Sequence, residues 1–251
     1  ENVRYVEVRF APSLSAHGSL TCGRVIRSLL EGLEQGRREL GTEYNVIVCA
    51  MRGHTFEQNL AMLQAAREFL GQGVCGADLA GNEAAYPMAD FLELFARAKE
   101  MGMPFTIHAG ECGSPANIRA ALDAGARRLG HGIAMRGQDE LKRLCRQKNI
   151  GIELCPVSNL QTKAVESPGD YPLREFLDGG LKVTVNTDNR TVSGSTLSGE
   201  LELVQELYGI SDPEIRRMME NAAEVSFADD SVKQELLRQI RAAKGGDHET
   251  L

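Results

Sequence analysis

Two histidines and two carboxylates stand in segments where they could act together on one substrate. His108 and Glu111 are three residues apart, and His131 and Asp188 follow later in the chain. Histidine and carboxylate ligands together suit Zn²⁺, Fe²⁺ or a related divalent ion. Such an ion lowers the pKa of bound water toward ~7 and makes it a nucleophile. Glu111 could give or take a proton in the same cavity.

Each of these residues also has a purely structural interpretation when taken alone. A lone histidine at a strand end is more often a hydrogen-bonded structural residue. Asp188 could be an ordinary loop or capping carboxylate, and Glu111 a charge favoured by the dipole at a helix start. His17, His54 and His248 lie in loop-like segments or in the tail, and we predict that they are surface residues.

Seven short runs rich in β-forming residues alternate with amphipathic helical stretches. The runs are Val3–Phe10, Tyr44–Met51, Val74–Ala80, Phe105–Ala109, Arg128–Gly132, Gly151–Cys155 and Lys182–Asn186. One predicted helix start, Thr55-Phe56-Glu57-Gln58, fits a capping box, and another, Ser211-Asp212-Pro213-Glu214, places proline early in the helix, where its missing N–H costs nothing. Repeated β-α units predict a parallel sheet covered by helices.

The short loops between these units favour an α/β fold of the TIM type, a (β/α)8 barrel. An open doubly wound sheet would more often carry a glycine-rich phosphate loop after an early strand, and none is present. Eight strands close a barrel and seven runs are found, so we expect an incomplete barrel whose first βα unit is missing from this chain. Residues 1–243 would form one barrel domain with C-terminal helices, and residues 244–251 a flexible tail.

In such a barrel the C-terminal ends of the strands form the active site. His108, His131 and Asp188 each lie at or just beyond such an end, and Glu111 follows in the same loop as His108. The joint placement favours a metal or acid–base site over four unrelated structural residues, because chance would rarely bring all four to one face.

Composition excludes several classes of protein. Hydrophobic residues make up 42% and charged residues 25% of the 251-residue chain, and the formal net charge is −7. An acidic chain argues against binding of a nucleic-acid backbone, and no apolar run approaches the ~18–20 residues of a membrane span. The six cysteines contain no C-x-x-C pair, which argues against a zinc ribbon and fits reduced thiols in a cytoplasmic protein.

Five motifs together resemble, in order and spacing, the signature of the adenosine deaminase family of the metal-dependent amidohydrolase superfamily, and most closely its bacterial members. They are Asp78-Leu79-Ala80-Gly81-Asn82-Glu83, Thr106-Ile107-His108-Ala109-Gly110-Glu111, Leu129-Gly130-His131-Gly132, Cys155-Pro156-Val157-Ser158-Asn159 and Asn186-Thr187-Asp188. The resemblance runs from about Tyr5 to about Phe227. It implies hydrolytic deamination of adenosine, and of 2'-deoxyadenosine, to inosine and ammonia by a zinc-activated water.

The resemblance also implies a role for each site residue. His108 and Asp188 would be zinc ligands, with Asp188 also contacting the attacking water. Glu111 would protonate purine N1, and His131 would orient the attacking oxygen. Among the substrate-binding groups, the Gly81 backbone N–H would face purine N3. Asn189, where many family members carry a second aspartate, would donate a hydrogen bond to N7.

One departure from the family concerns the zinc ligands. The family places a His-x-His pair on its first strand, and this sequence contains none. We therefore expect that the first βα unit is absent, and that another chain or fragment fills the missing strand. Two alternatives stay open: a deaminase of another aminopurine such as adenine or AMP, or an inactive purine-binding remnant. The expected partner is a small purine nucleoside, with no nucleic acid and no membrane.

Overall fold

The computed structural model of the chain describes residues 1–112 and 114–243. The predicted tail, residues 244–251, lies outside this range. Seven strands are present in the described part, each within two residues of its predicted bounds. They are β1 (Tyr5–Phe10), β2 (Glu43–Met51), β3 (Val74–Ala80), β4 (Thr106–Ala109), β5 (Arg128–His131), β6 (Gly151–Leu154) and β7 (Lys182–Val185).

All seven strands run parallel and lie side by side in chain order. Strands β1–β3 form one ladder and β4–β7 a second. A parallel bridge between Ala77 and Phe105 joins the two ladders, with Ala77 N donating to Pro104 O at 2.9 Å. This is the arrangement of an incomplete TIM-type barrel, which confirms the predicted fold class. Within the described residues β1 and β7 do not pair with each other; a further chain or fragment along them stays a prediction.

Helices follow the strands and cover the outer face of the sheet. They are α1 (Pro12–Ser15), α2 (Cys22–Leu40), α3 (Phe56–Arg67), α4 (Leu92–Glu100), α5 (Pro115–Ala124), α6 (Asp139–Gln147), α7 (Pro156–Gln161), α8 (Leu173–Asp178), α9 (Arg190–Ser193), α10 (Leu197–Tyr208), α11 (Asp212–Val225) and α12 (Asp230–Ala242). Short 3₁₀ turns span Met88–Phe91, Ile133–Met135 and Pro168–Asp170. The predicted capping box of Thr55 with Gln58 is present, and α11 begins after Ser211 with its proline in the first turn, as predicted. Ser211 and Glu214 form a second capping box there, which was not predicted. No helix in the described ranges has the length and hydropathy that a bilayer crossing requires.

The central strands are buried on both faces. Residues Val46 to Ala50 of β2 are all buried in succession, and their apolar run is typical of a parallel strand between helices and a barrel interior. Helix α3 packs its buried Met62 and Leu63 into the same core. The core therefore holds the strand ends that carry the candidate site at fixed positions.

Charged side chains from four strands meet across the interior of the barrel. Arg9 on β1 contacts Glu153 on β6 at 2.6 Å and Asp78 on β3 at 3.3 Å. Arg128 on β5 contacts Glu153 at 2.7 Å and Glu7 on β1 at 2.6 Å. Burial alone would raise the pKa of the Glu153 carboxyl, but the Arg9 and Arg128 guanidinium groups outweigh it and lower that pKa. The network links β1 to β3, β5 and β6, which are not its sheet neighbours, and its member Asp78 also contacts His108.

Candidate active site

His108 occupies the third position of β4, where its imidazole meets a buried carboxylate. Its Nδ1 lies 2.7 Å from Asp78 Oδ2 on the neighbouring strand, and its backbone N–H donates to Asp78 Oδ1 at 3.2 Å. Burial lowers the pKa of His108, but the charge and the hydrogen bond of Asp78 together with the charge of Glu153 outweigh burial and raise that pKa above its ordinary value. Because Nδ1 faces Asp78, Nε2 is the ring nitrogen left for a ligand.

His131, the last residue of β5, lies against His108 with ring centroids 5.1 Å apart. Its Nδ1 lies 3.0 Å from the amide Nδ2 of Asn159, and Tyr171 donates its hydroxyl to Asn159 Oδ1 at 3.2 Å. An amide nitrogen can only donate, so Nδ1 accepts and the ring proton resides on Nε2. Burial, together with the charge of His108, lowers the pKa of His131 and favours this neutral form.

Glu111 lies in the loop after β4, with its carboxylate partly exposed. Its Oε2 is 3.6 Å from Nε2 of His131. The loop is held from behind by Glu83, whose buried carboxylate accepts the backbone N–H of Glu111 at 2.9 Å. A carboxylate beside the protonated nitrogen of a neutral imidazole is an arrangement that can pass a proton to and from a substrate.

Asp188 lies in the loop after β7, three residues beyond the end of that strand. Its Oδ2 accepts a hydrogen bond from the Ser158 hydroxyl at 2.7 Å. Both Asp188 and His131 adopt left-handed backbone conformations, with φ of 51° and 63°. Non-glycine residues in that region occur preferentially at functional sites, where the surrounding structure imposes the conformation.

The donor set at the strand ends suits a divalent ion. Ligand atoms of His131, Cys155 and Asp188 all lie within 4.8 Å of one another, but His131 is not a ligand in this tautomer, because its Nε2 carries the ring proton and its Nδ1 accepts from Asn159. Burial raises the pKa of the Cys155 thiol well above its usual range, so this sulfur is held as a weak, protonated donor. The His108 imidazole, oriented by the Asp78 carboxylate, has the carboxylate–histidine arrangement common at metal ligands. The residues present therefore fit a histidine–carboxylate metal site.

The two predicted substrate-binding residues lie at the same end of the barrel. Gly81 follows β3 with φ of 106°, a backbone conformation that favours glycine. Asn189 follows Asp188, and its Oδ1 caps α9 by accepting from Val192 N at 3.1 Å. Its amide NH₂ keeps donor capacity for a ligand.

Two buried charged side chains near the site, Glu83 and Arg52, were given no role from the sequence. Glu83 stands in one of the quoted motifs and holds the loop of Glu111. Arg52, just after β2, donates to the His108 carbonyl and to the Tyr86 carbonyl, each at 2.6 Å. No sequence signal identifies Arg52, whereas Glu83 and Asn159 lay within motifs already noted. Of the histidines predicted to lie at the surface, His17 is exposed and His54 is half-buried.

Comparison with known proteins gives consistent matches along the chain. A family model described as adenosine deaminase matches residues 1–243. An adenosine deaminase of Enterococcus faecalis is 37% identical over 243 residues, which is 97% of this chain and 72% of that relative. Adenine deaminase from Arthrobacter aurescens superposes with a TM-score of 0.87 at 26% identity, covering 95% and 73% of the two chains. The Arabidopsis N6-mAMP deaminase superposes with a TM-score of 0.87 at 26% identity, and the match covers 96% of this chain and 74% of that protein.

Proposed function

Because this chain belongs to the adenosine deaminase family, we propose that it catalyses the hydrolytic deamination of adenosine, and of 2'-deoxyadenosine, to inosine and ammonia. The observation that carries the proposal is the pairing of Glu111 with His131, 3.6 Å apart between Oε2 and Nε2. The reaction needs a proton donor for the purine ring and a group that orients the attacking water, and these two side chains supply both at one place.

The steps assign a proton movement to each side chain. Glu111 gives a proton to purine N1, which makes C6 more electrophilic. Asp188 accepts a hydrogen bond from the water that attacks C6 and takes up its proton. The Nε2–H of His131 donates to the attacking oxygen and stabilises the charge that develops there. The amino group on C6 then takes the proton held by Asp188 and leaves as ammonia, while the C6 hydroxyl returns a proton to Glu111, so that inosine remains with its N1–H and both carboxyl groups are restored.

The family is metal-dependent, and we propose Zn²⁺ as the ion of this protein. His108 and Asp188 would hold it, with Asp78 orienting the His108 ring through its 2.7 Å contact. When bound, such an ion lowers the pKa of a water molecule and polarises it for attack. The imidazole and carboxylate donors suit this ion better than Mg²⁺, which prefers oxygen ligands only.

Substrate contacts are proposed for Gly81 and Asn189. The Gly81 backbone N–H would donate to purine N3, at a turn where the absence of a side chain lets a ring approach. The Asn189 amide would donate to N7 through the NH₂ group that capping of α9 leaves free. An amide makes this hydrogen bond without needing to be protonated.

A substrate panel tests the proposed specificity. The similar solved structures act, by their names, on adenine and on N6-methyl-AMP, but at 26% identity they are more distant than the adenosine deaminases at 37%. The rate of ammonia release should be measured with the full protein that the gene encodes, using adenosine, 2'-deoxyadenosine, adenine, AMP and N6-methyl-AMP as substrates. We expect kcat/KM to be highest for the two nucleosides. A higher value for a free base or a nucleotide would assign the activity to another aminopurine.

We also propose a cytoplasmic location. All six cysteines are free thiols, and four of them are buried. Buried, unpaired cysteines suit a reducing compartment, where a disulfide framework does not form.

A further inference from the structure

Glu83 places a buried carboxylate directly behind the loop that carries Glu111. It is 3% exposed. Its Oε1 accepts from Gly110 N at 2.6 Å and from Asn117 Nδ2 at 2.8 Å. Its Oε2 accepts from Glu111 N at 2.9 Å and from Cys112 N at 3.2 Å. Four donors therefore converge on one side chain, and three of them are successive backbone N–H groups.

Successive backbone N–H groups that point to one place form a concavity that binds anions. Here the anion is part of the protein itself. Hydrogen bonds to an ionised carboxylate are shorter and about twice as strong as bonds between neutral groups. Among residues 1–112 and 114–243, no lysine, arginine or histidine lies within ion-pair distance of Glu83. The four donors are therefore its direct partners, and the Arg52 guanidinium adds to their effect at longer range.

The Gly110–Cys112 loop lies outside the strands, so no strand pairing fixes its position. It follows the last residue of β4, and Gly110 turns with φ of 79°. On the far side Asn117 of α5 is itself fixed, because its Oδ1 accepts from Met88 N at 2.9 Å. Glu83 thus joins the segment after β3, the loop after β4 and helix α5 at one point.

We propose that Glu83 is the positioning residue that sets the Glu111 carboxylate for proton transfer to the substrate. The inference rests on the proposed function, in which Glu111 is the proton donor. Glu83 touches only the backbone of the loop and a side chain of α5, so it acts through Glu111 and not on the substrate. Its charge is required because only an ionised carboxylate offers acceptors to all four donors at once.

The test is a double-mutant cycle between Glu83→Gln and Glu111→Gln, measured with adenosine. Glutamine keeps the volume but turns an NH₂ group toward backbone donors. We expect Glu83→Gln to lower kcat about 10–100-fold, the loss that misplacement by about 1 Å causes, with KM within about twofold. In the Glu111→Gln background the same change should have no further effect on kcat, because the group being positioned is already disabled.

Two further measurements separate positioning from general damage. Amide hydrogen exchange of Gly110, Glu111 and Cys112 should accelerate in Glu83→Gln, while exchange in the strands stays slow. Glu83→Asp keeps the charge and should restore part of kcat. Equal losses of kcat in both backgrounds, or an unchanged kcat in Glu83→Gln, would overturn the role of Glu83 alone. Near-full turnover by Glu111→Gln would instead overturn the proton donor itself, and the positioning role with it.

Discussion

Asn159 and His131 form a buried hydrogen bond, Nδ2 to Nδ1 at 3.0 Å, that determines which ring nitrogen of His131 carries the proton. Because the amide donates, the proton is on Nε2, the nitrogen 3.6 Å from Glu111. Tyr171 holds the amide in this orientation. Asn159 and Tyr171 thus orient His131, one of the two groups proposed to act on the substrate.

Replacing Asn159 by aspartate tests this arrangement. A carboxylate can only accept, so it would draw the ring proton to Nδ1. We expect kcat to fall about 10–100-fold, as is typical when a partner that orients a site histidine is changed. ¹⁵N chemical shifts of the His131 ring should show Nδ1 without a proton in the wild type and with one in the variant. A protonated Nδ1 in the unliganded wild-type protein would contradict the assignment.

Asp188→Gly should separate stability from activity. Glycine adopts the φ of 51° found at Asp188 without steric cost, which offsets part of the loss of the hydrogen bond from Ser158, so the melting temperature should change little. Deamination of adenosine should drop by at least about 10²-fold, since the variant loses the carboxylate that accepts the water proton.

The matched control for that variant is Asn149→Gly. Asn149 lies in the turn between α6 and β6, at the opposite end of the barrel, with φ of 53°. It should give a similar change in melting temperature with unchanged kcat. A large loss of stability in Asp188→Gly would show that the loop depends on the aspartate for folding.

Local features of the structure could be predicted from the sequence, and contacts between distant residues could not. The strands were predictable because each β-rich run is short and bounded by helical patterns. The cap at Thr55 and the helix start after Ser211 were predictable because a capping box and an early proline are local signals. The contacts of Glu83 with Gly110 and of Asn159 with His131 join residues 27 and 28 positions apart. Such pairs depend on which strand ends become neighbours, and no local pattern encodes their distances or the left-handed backbone of His131.

Glu200→Gln should stabilise the protein at neutral pH. Glu200 is fully buried in α10, and burial raises the pKa of its carboxyl above the ordinary value of 4.5. A carboxyl whose pKa is raised in the folded state makes its full contribution to stability below about pH 4.5. This contribution is lost as the pH rises through the folded-state pKa, because the buried group must then become charged. The variant has no such loss, so its free energy of unfolding should exceed that of the wild type at pH 7 and converge with it near pH 4.

The control is Glu202→Gln, an exposed position on the same helix. Because an exposed carboxylate keeps its hydration, urea unfolding at pH 7 should show the gain in stability in Glu200→Gln and not in this variant. If Glu200→Gln were instead less stable than the wild type at pH 7, its hydrogen bond to Val157 N, 3.0 Å long, would outweigh the cost of burying the charge.

Removal of divalent metal should abolish turnover. Dialysis against a chelator is expected to stop ammonia release from adenosine while the circular dichroism spectrum stays unchanged, because the core does not depend on the site. Added Zn²⁺ should restore the rate in the wild type and not in His108→Ala, which lacks a proposed ligand. Full turnover by metal-free protein would contradict a metal-assisted reaction.

The central claim is that this site deaminates adenosine with Glu111 as the proton donor. The most direct measurement is kcat for ammonia release from saturating adenosine, compared between the wild-type protein and Glu111→Gln. Glutamine preserves size and hydrogen bonding but has no proton to give to N1. We predict a fall of about 10²–10⁴-fold, the usual contribution of a general acid. Near-wild-type turnover by the variant would contradict the claim.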